Sequence, residues 1–298
     1  MSNRLILAAV LLITVGAAVR TAAQHDGGIP GSVAFFSART GNNEIYVMDP
    51  DGADPVRITN SPASDVDPAI SPDGRDIIFT SNRSGNNDIY IVDSRGGTPV
   101  NLTNNPANEG WARWSPDGQH IVFHSNRDDP GFEIYVMDRD GGNVTRLTSH
   151  AGVDQYPEWS PNGQKIAFRR DTDIYVLDLI DGTTERLTNA APLNQMPSWS
   201  PNGQQIAFMS TRDGYPSVFL MNADGTGQVN LTPKDPGDID ADWNSRAPSW
   251  SANGRQIYFT TFRPSTGLDT EIFVMNADGS APTNVTNNPG TDADPHVR

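Results

Sequence analysis

The sequence predicts an all-β fold, a six-bladed β-propeller of four-stranded antiparallel blades, and three observations predict it. One turn recurs five times, as Ser71-Pro72-Asp73-Gly74, Ser115-Pro116-Asp117-Gly118, Ser160-Pro161-Asn162-Gly163, Ser200-Pro201-Asn202-Gly203 and Ser251-Ala252-Asn253-Gly254, at intervals of 44, 45, 40 and 51 residues. A tryptophan precedes the serine in four of the five: Trp114, Trp159, Trp199 and Trp250. The chain also ends on a fragment of the repeat, Asp292-Ala293-Asp294-Pro295-His296-Val297-Arg298, which matches Asp65-Val66-Asp67-Pro68-Ala69-Ile70-Ser71. A period of this size marks stacked β-units, each of which buries its faces only against its neighbours.

The second unit shows the strands in order. Residues 68–71 read as a short innermost strand A. Proline presets φ in the turn that follows, and glycine takes its left-handed exit. Ile77-Ile78-Phe79-Thr80-Ser81 is strand B, and Asp88-Ile89-Tyr90-Ile91-Val92-Asp93 is strand C after the loop Ser84-Gly85-Asn86-Asn87. A hairpin at Ser94-Arg95-Gly96-Gly97 leads to strand D, Pro99-Val100-Asn101-Leu102-Thr103. These are β-branched and aromatic runs bounded by Gly, Asn and Asp.

The same slots refill six times. Strand B carries Phe35, Phe79, Phe123, Phe168, Phe208 and Phe259, and strand C carries Tyr46, Tyr90, Tyr135, Tyr175, Phe219 and Phe273. Six slots mean six blades, and these rings are expected to pack the core. The first unit lacks strand A, so the C-terminal fragment is expected to supply it and close the ring. Proline recurs in strand A at Pro68, Pro157, Pro197, Pro248 and Pro295, where an edge facing a central channel needs no amide donor.

Composition narrows the function. The 298 residues carry 36 Asp plus Glu against 21 Lys plus Arg, a formal net charge of −15. That balance excludes a nucleic-acid partner and favours a basic protein, a cation or a neutral glycan. No cysteine occurs, so disulfides, thiolate metal sites and cysteine nucleophiles are excluded. Arg4, the apolar run from Leu5 to Val19, and Arg20-Thr21-Ala22-Ala23 read as a secretory signal peptide over residues 1–23. Its removal would take two arginines and deepen the negative charge. A short linker, 24–30, then leads to the propeller at 31–298. No second apolar run of spanning length follows. The expectation is a periplasmic or secreted monomer without a membrane span.

The pattern Asp154-Gln155-Tyr156-Pro157-Glu158-Trp159-Ser160-Pro161-Asn162-Gly163, with Glu133-Ile134-Tyr135-Val136-Met137-Asp138, resembles the WD-repeat-like propeller repeats of the TolB family. The resemblance covers residues 31–298. It leaves no place for the additional N-terminal α/β domain of that family, nor for the hydrolase domain that follows such propellers in prolyl-oligopeptidase-type peptidases, and no Gly-x-Ser-x-Gly elbow occurs. The resemblance implies an exported propeller that binds other macromolecules, with its binding face where the D–A and B–C loops meet.

Several candidate sites follow. Asp65, Glu109, Asp154, Asn194 and Asp292, with Ser245, stand six residues before the turn serine or its C-terminal equivalent. They form either a negative ring at a channel mouth, suited to a cation, a basic side chain or an entering peptide, or a set of loop caps. An arginine and an acid bracket the B–C loops, as Arg39 and Glu44, Arg83 and Asp88, or Arg127 and Glu133, which suggests a pair tying each hairpin.

The clearest break in the repeat is the connection from Thr232 to Pro248, where Asp238, Asp240, Asp242 and Trp243 read as an acidic, aromatic platform for a partner, or as a tolerated insertion. No catalytic constellation is visible. No cofactor is required, calcium being the one ion these acid-rich loops could admit. The reading is a non-catalytic protein-binding module. Its alternatives are a metal-assisted glycan-acting enzyme, lyase or hydrolase, and a glycan-binding propeller.

Overall fold

The computed structural model describes residues 31–189, 192–234, 244–262 and 269–298. The expected signal peptide and linker, and the residues Asp238, Asp240, Asp242 and Trp243, lie outside the described residues.

Six four-stranded antiparallel sheets form the ring. Blade one contains β1 (Val33–Ser37), β2 (Glu44–Met48) and β3 (Val56–Arg57), and blade two β4 (Asp65–Ile70), β5 (Asp76–Ser81), β6 (Asp88–Asp93) and β7 (Val100–Asn101). Blade three holds β8 (Glu109–Trp114), β9 (His120–Ser125), β10 (Glu133–Asp138) and β11 (Thr145–Arg146). Blade four is β12 (Asp154–Trp159), β13 (Lys165–Arg170), β14 (Asp173–Asp178) and β15 (Thr184–Arg186). Blade five is β16 (Asn194–Trp199), β17 (Gln205–Ser210), β18 (Ser217–Asn222) and β19 (Val229–Asn230). Blade six is β20 (Asn244–Trp250), β21 (Gln256–Phe262), β22 (Thr270–Asn276) and β23 (Thr283–Asn284).

The last strand, β24 (Asp292–Val297), pairs antiparallel with β1 and becomes the innermost strand of blade one. The predicted closure is therefore observed. Six apolar clusters fill the six interfaces between blades. The one joining the ends packs Val33, Phe35, Tyr46 and Met48 of blade one on Tyr258, Ile272 and Val274 of blade six. Phe79 and Tyr90 stack with centroids 5.8 Å apart, as do Phe123 and Tyr135. Both rings of each pair are buried, as the repeating slots predicted.

Two elements differ from expectation. Strand D is a two- or three-residue edge in every blade, because past its first residues the Leu-Thr threonine hydroxyl, in place of a backbone carbonyl, accepts the strand C amide. Strand A is longer than expected and bent. In β4, β8, β12, β16, β20 and β24 the ladder shifts register midway. There Asp67, Trp111, Tyr156, Met196, Ala247 and Asp294 sit at φ of 54°, 49°, 57°, 55°, 49° and 52°. A left-handed non-glycine residue costs about 1–3 kcal/mol, so six in one ring require support from the surrounding structure. Such bulges re-aim side chains. Here they precede the strand A proline in five blades and Ala112 in blade three, and Trp111, Ala247 and Asp294 among them line the central cavity.

The Asp-x-Asp-Gly turns between strands C and D act as hairpins. Asp51 and Asp140 accept from the backbone N–H of Ala53 and Gly142, each at 3.0 Å. Gly52 and Gly141 approach the neighbouring blade closely: a Cβ would lie 1.9 Å from the Val285 carbonyl oxygen and 2.5 Å from that of Leu102.

Candidate functional site

The strand directions give the ring two faces. The B–C and D–A connections meet at the Asp65 end of strand A, the loop face, and the A–B and C–D turns lie at the other end, the turn face.

On the loop face, the candidate residues stand at equivalent positions at the start of the six innermost strands and are closed to solvent. Asp65, Glu109, Asp154, Asn194, Ser245 and Asp292 are at most 2% exposed. Five of them receive an arginine from the following B–C connection. Arg39 reaches Asp292 at 3.0 Å, Arg83 reaches Asp65 at 2.7 Å, Arg127 reaches Glu109 at 3.2 Å and Arg170 reaches Asp154 at 2.7 Å. Arg212 donates to the Asn194 amide oxygen at 3.0 Å. Each guanidinium also lies over the buried aromatic pair of its own blade, Arg83 at 5.4 Å from Phe79 and 4.8 Å from Tyr90. Burial raises the Glu109 carboxyl to about 7 despite Arg127, and burial also raises Asp292. The rim is thus a set of buried clamps, and its carboxylates are largely committed to them.

This corrects the expected pairing of each B–C arginine with the acid that opens strand C. Those acids serve the Leu-Thr threonine of strand D instead. The Thr59 hydroxyl donates to Glu44 at 2.6 Å, and Thr188 to Asp173 at 2.7 Å. The same threonine oxygens accept the Ile45 and Ile174 amides at 2.9 Å. Blade two adds a close hydrogen bond from Ser84 to Asp88 at 2.5 Å.

Past the rim, the inner strands stop repeating. Directly after the clamp position stand Val66, Gly110 and Ala293 on blades two, three and one, but Gln155, Gln195 and Arg246 on blades four, five and six. Arg169, paired in register with Gln155, donates to the Gln155 amide oxygen at 2.6 Å and to that of Gln195 at 2.9 Å.

The bulge layer lies next. The Trp111 and Tyr156 rings meet edge to face at 4.9 Å, and Arg113 lies 4.5 Å from the Trp111 ring. His124 packs against Phe132 and Tyr156, in space that Gly110 leaves open: a Cβ there would lie 3.2 Å from its Nε2. Burial, with Arg169 and Arg113 nearby, lowers His124 to about 3, so the ring is neutral. Across the channel the Asp67 and Asp294 carboxyl groups share a hydrogen bond. Burial and the facing Asp294 raise Asp67 to about 8, which makes it the donor.

On the turn-face side a cavity of about 340 Å³ opens, walled by Trp114, Trp159, Trp199 and Trp250 and rimmed by the turn prolines. Arg113 and Glu158 form an ion pair within it at 3.2 Å. Among the described residues no three His, Cys, Asp or Glu side chains gather as metal ligands. No described helix is long and apolar enough to cross a membrane.

Sequence reasoning found the clamp ring and missed the channel layers. The signal for Tyr156, Arg169 and Arg246 was present as departures from the repeat. It could be read only once the bulge showed which position of strand A faces inward.

Comparison with known proteins agrees with this geometry. Residues 101–173 match the TolB beta propeller domain, and residues 39–132 match the Tricorn protease N-terminal beta propeller domain. A segment of 54 residues is 37% identical to the Tol-Pal system protein TolB of Syntrophotalea carbinolica, and one of 42 residues is 50% identical to the protein TolB homolog of Chlorobaculum tepidum. These segments are 18% and 14% of this chain but only 13% and 10% of those relatives. The fold of TolB from Acinetobacter baumannii superposes with a TM-score of 0.76 at 25% identity, over 91% of this chain and 67% of that one. With six four-stranded blades, a C-terminal strand closing the ring and these matches, the chain is a six-bladed β-propeller whose repeats are TolB-like.

Proposed function

We propose that this chain is an exported, non-catalytic protein-binding module of the cell envelope, whose partner docks on the loop face and places a segment at the channel mouth. The observation that supports this most is the contrast along the inner strands. The clamp position is filled alike in five blades, as a scaffold requires. The position after it differs between one half of the ring and the other, as recognition requires. Two of the relatives are by name Tol-Pal system proteins, and the reading of residues 1–23 as a signal peptide suits an exported chain.

The net charge of −15 favours a partner that is basic overall, drawn in by the long-range field. The rim carboxylates contribute little to that attraction locally, since arginines neutralise them.

The test is site-specific photocrosslinking in the native envelope. A photoreactive residue replacing the exposed Pro130 on the loop face should trap one protein, and the same residue replacing Gln204 on the turn face should not. Trapping from Gln204 alone, or from neither position, would refute the proposal.

A further inference from the structure

Within that protein-binding reading, on which this step rests, we infer that the loop-face end of the channel is a carboxylate-binding site. Its occupant is an acidic side chain carried on an inserted segment of the partner. The argument is a count of donors and acceptors around one point. The Tyr156 phenol lies within electrostatic reach of Arg169, Arg246, Asp67 and Asp294, so blades four and six contribute their cations to the same region as that ring.

Arg169 is held in place by two amide oxygens and has no carboxylate within ion-pair distance among the described residues. Its Nε–H is buried with no partner. The Arg246 side chain makes no hydrogen bond or ion pair with any described residue, and lies in the longer-range field of Asp294 and Tyr156. The oxygens of Gln155 and Gln195 are occupied by Arg169, which leaves their NH2 groups as donors without a described acceptor. The clamp arginines Arg39, Arg83, Arg127 and Arg170 each hold a carboxylate at the rim, whereas Arg169 and Arg246, one layer further in, hold none.

Unused donors converging without acceptors fit a ligand that only accepts, and a fork of guanidinium and amide N–H groups fits a planar carboxylate. The acids close by oppose it only in part. Asp67 is held protonated against Asp294, Glu158 is paired with Arg113, and Asp294 alone faces Arg246 as a carboxylate, one negative charge against two guanidinium groups. The other half of the same layer carries no donors: Ala293 and Val66 pack into the core between blades one and two, and His124 fills the space beside Gly110. The layer is therefore polarised, with side-chain donors on blades four to six and apolar packing on blades one to three. A basic cofactor or a metal cation would meet the wrong charge there.

The experiment uses two capped pentapeptides, acetyl-Gly-Gly-Glu-Gly-Gly-amide and its Gln counterpart, titrated into the protein by NMR in low-chloride buffer. The Glu peptide should bind at least about tenfold more tightly than the Gln peptide, and Arg169→Gln and Arg246→Gln should each weaken it by about tenfold. Arg212→Gln, a rim clamp, should leave the peptide affinity unchanged while lowering the melting temperature. Equal binding of the two peptides, or full affinity in both channel variants, overturns the inference. Tighter binding of trigalacturonate than of the Glu peptide also overturns it, by assigning the cradle to a glycan. If one variant fails to fold, the other carries the test. The Pro130 crosslink in the Arg169→Gln/Arg246→Gln protein separates the two proposals. An adduct as strong as in the parent removes the acidic anchor and leaves the protein-binding reading standing. No adduct in the parent removes that reading while the peptide titration still reports on the cradle.

Discussion

The two faces of the ring use the repeat in opposite ways. On the turn face the serine hydroxyl donates to the Asp or Asn two residues on, at 2.6 Å in Ser71 and Asp73 and 2.8 Å in Ser160 and Asn162. The same oxygen then accepts a backbone N–H at the next exit, so one geometry is written five times. On the loop face the clamps repeat at the rim, but just inside them three blades carry donors and three carry small residues. A repeated feature maintains the ring. A feature confined to half of it is not needed to repeat the ring, and it is this asymmetry that the proposed channel occupant would use.

The largest test of the shared scaffold is removal of its closing strand. Deleting residues 290–298 strips β24 from β1 and opens the innermost edge of blade one. It also removes Asp292 from Arg39 and Ala293 from the first interface core. Cooperative thermal unfolding should be lost, or the midpoint should fall by more than about 10 °C. A truncated protein melting like the parent would mean that the ring does not depend on strand exchange.

Next in size are the clamps. Arg83→Met leaves the Asp65 carboxylate buried at 0% exposure without its cation, which should cost about 3–5 kcal/mol in denaturant unfolding. Arg83→Met combined with Asp65→Asn should recover a large part of that loss, because the uncompensated charge is gone. Equal stability of the single and double variants would show that Arg83 acts by covering Phe79 and Tyr90 and not by its charge.

The channel layer should reveal itself through pH. Asp67 titrates near 3.8 when unfolded and near 8 in the fold. Between those values the native state holds more protons than the unfolded chain, so this group's contribution falls as pH rises from about 4 to 8 and is then constant. His124 acts in the opposite sense. It is depressed from 6.5 to about 3, so its contribution is complete above 6.5 and falls as the solution is acidified toward 3. Asp67→Asn should therefore gain stability relative to the parent at pH 8, by about 1–2 kcal/mol once partial solvent exposure is allowed for, and little at pH 4. A variant that gains equally at both values would show that Asp67 is not held protonated against Asp294.

These tests also mark how far the sequence could be read. Blade number, strand order and ring closure were legible because each rests on a period and on a fragment at Asp292 that repeats Asp65. The clamp residues were legible as a ring, but their partners were not. Arg39 and Glu44 are five residues apart, yet Arg39 reaches Asp292 on the C-terminal strand that completes the same blade. Chain proximity is a poor guide where strand A and strand B meet side by side. The inward direction of Tyr156 and Arg246 was hidden because it depends on a bulge. A simple two-residue alternation carried from Asp65 along β4 would place Asp67 on the same side as Asp65, and the left-handed residue breaks that count.

The smallest expected effect is the sharpest statement about the turn face. Asp73 and Asp117 use one carboxylate oxygen where Asn162, Asn202 and Asn253 use an amide oxygen, and each accepts both the serine hydroxyl and a backbone N–H at 2.9–3.2 Å. The second atom faces Arg139 in Asp73, at 3.6 Å, but only a neighbouring glutamine in Asn162 and Asn202. Asn162→Asp should therefore change unfolding free energy by no more than about 0.5 kcal/mol and leave the loop-face crosslink intact. The matching change in the channel, Gln155→Glu, keeps shape equally well but supplies Arg169 with the counter-ion it lacks. It should close the cradle to the Glu peptide without loss of stability. If the two isosteric changes behaved alike in peptide binding, the difference between the faces would be one of position only, and the channel donors would have no ligand to explain.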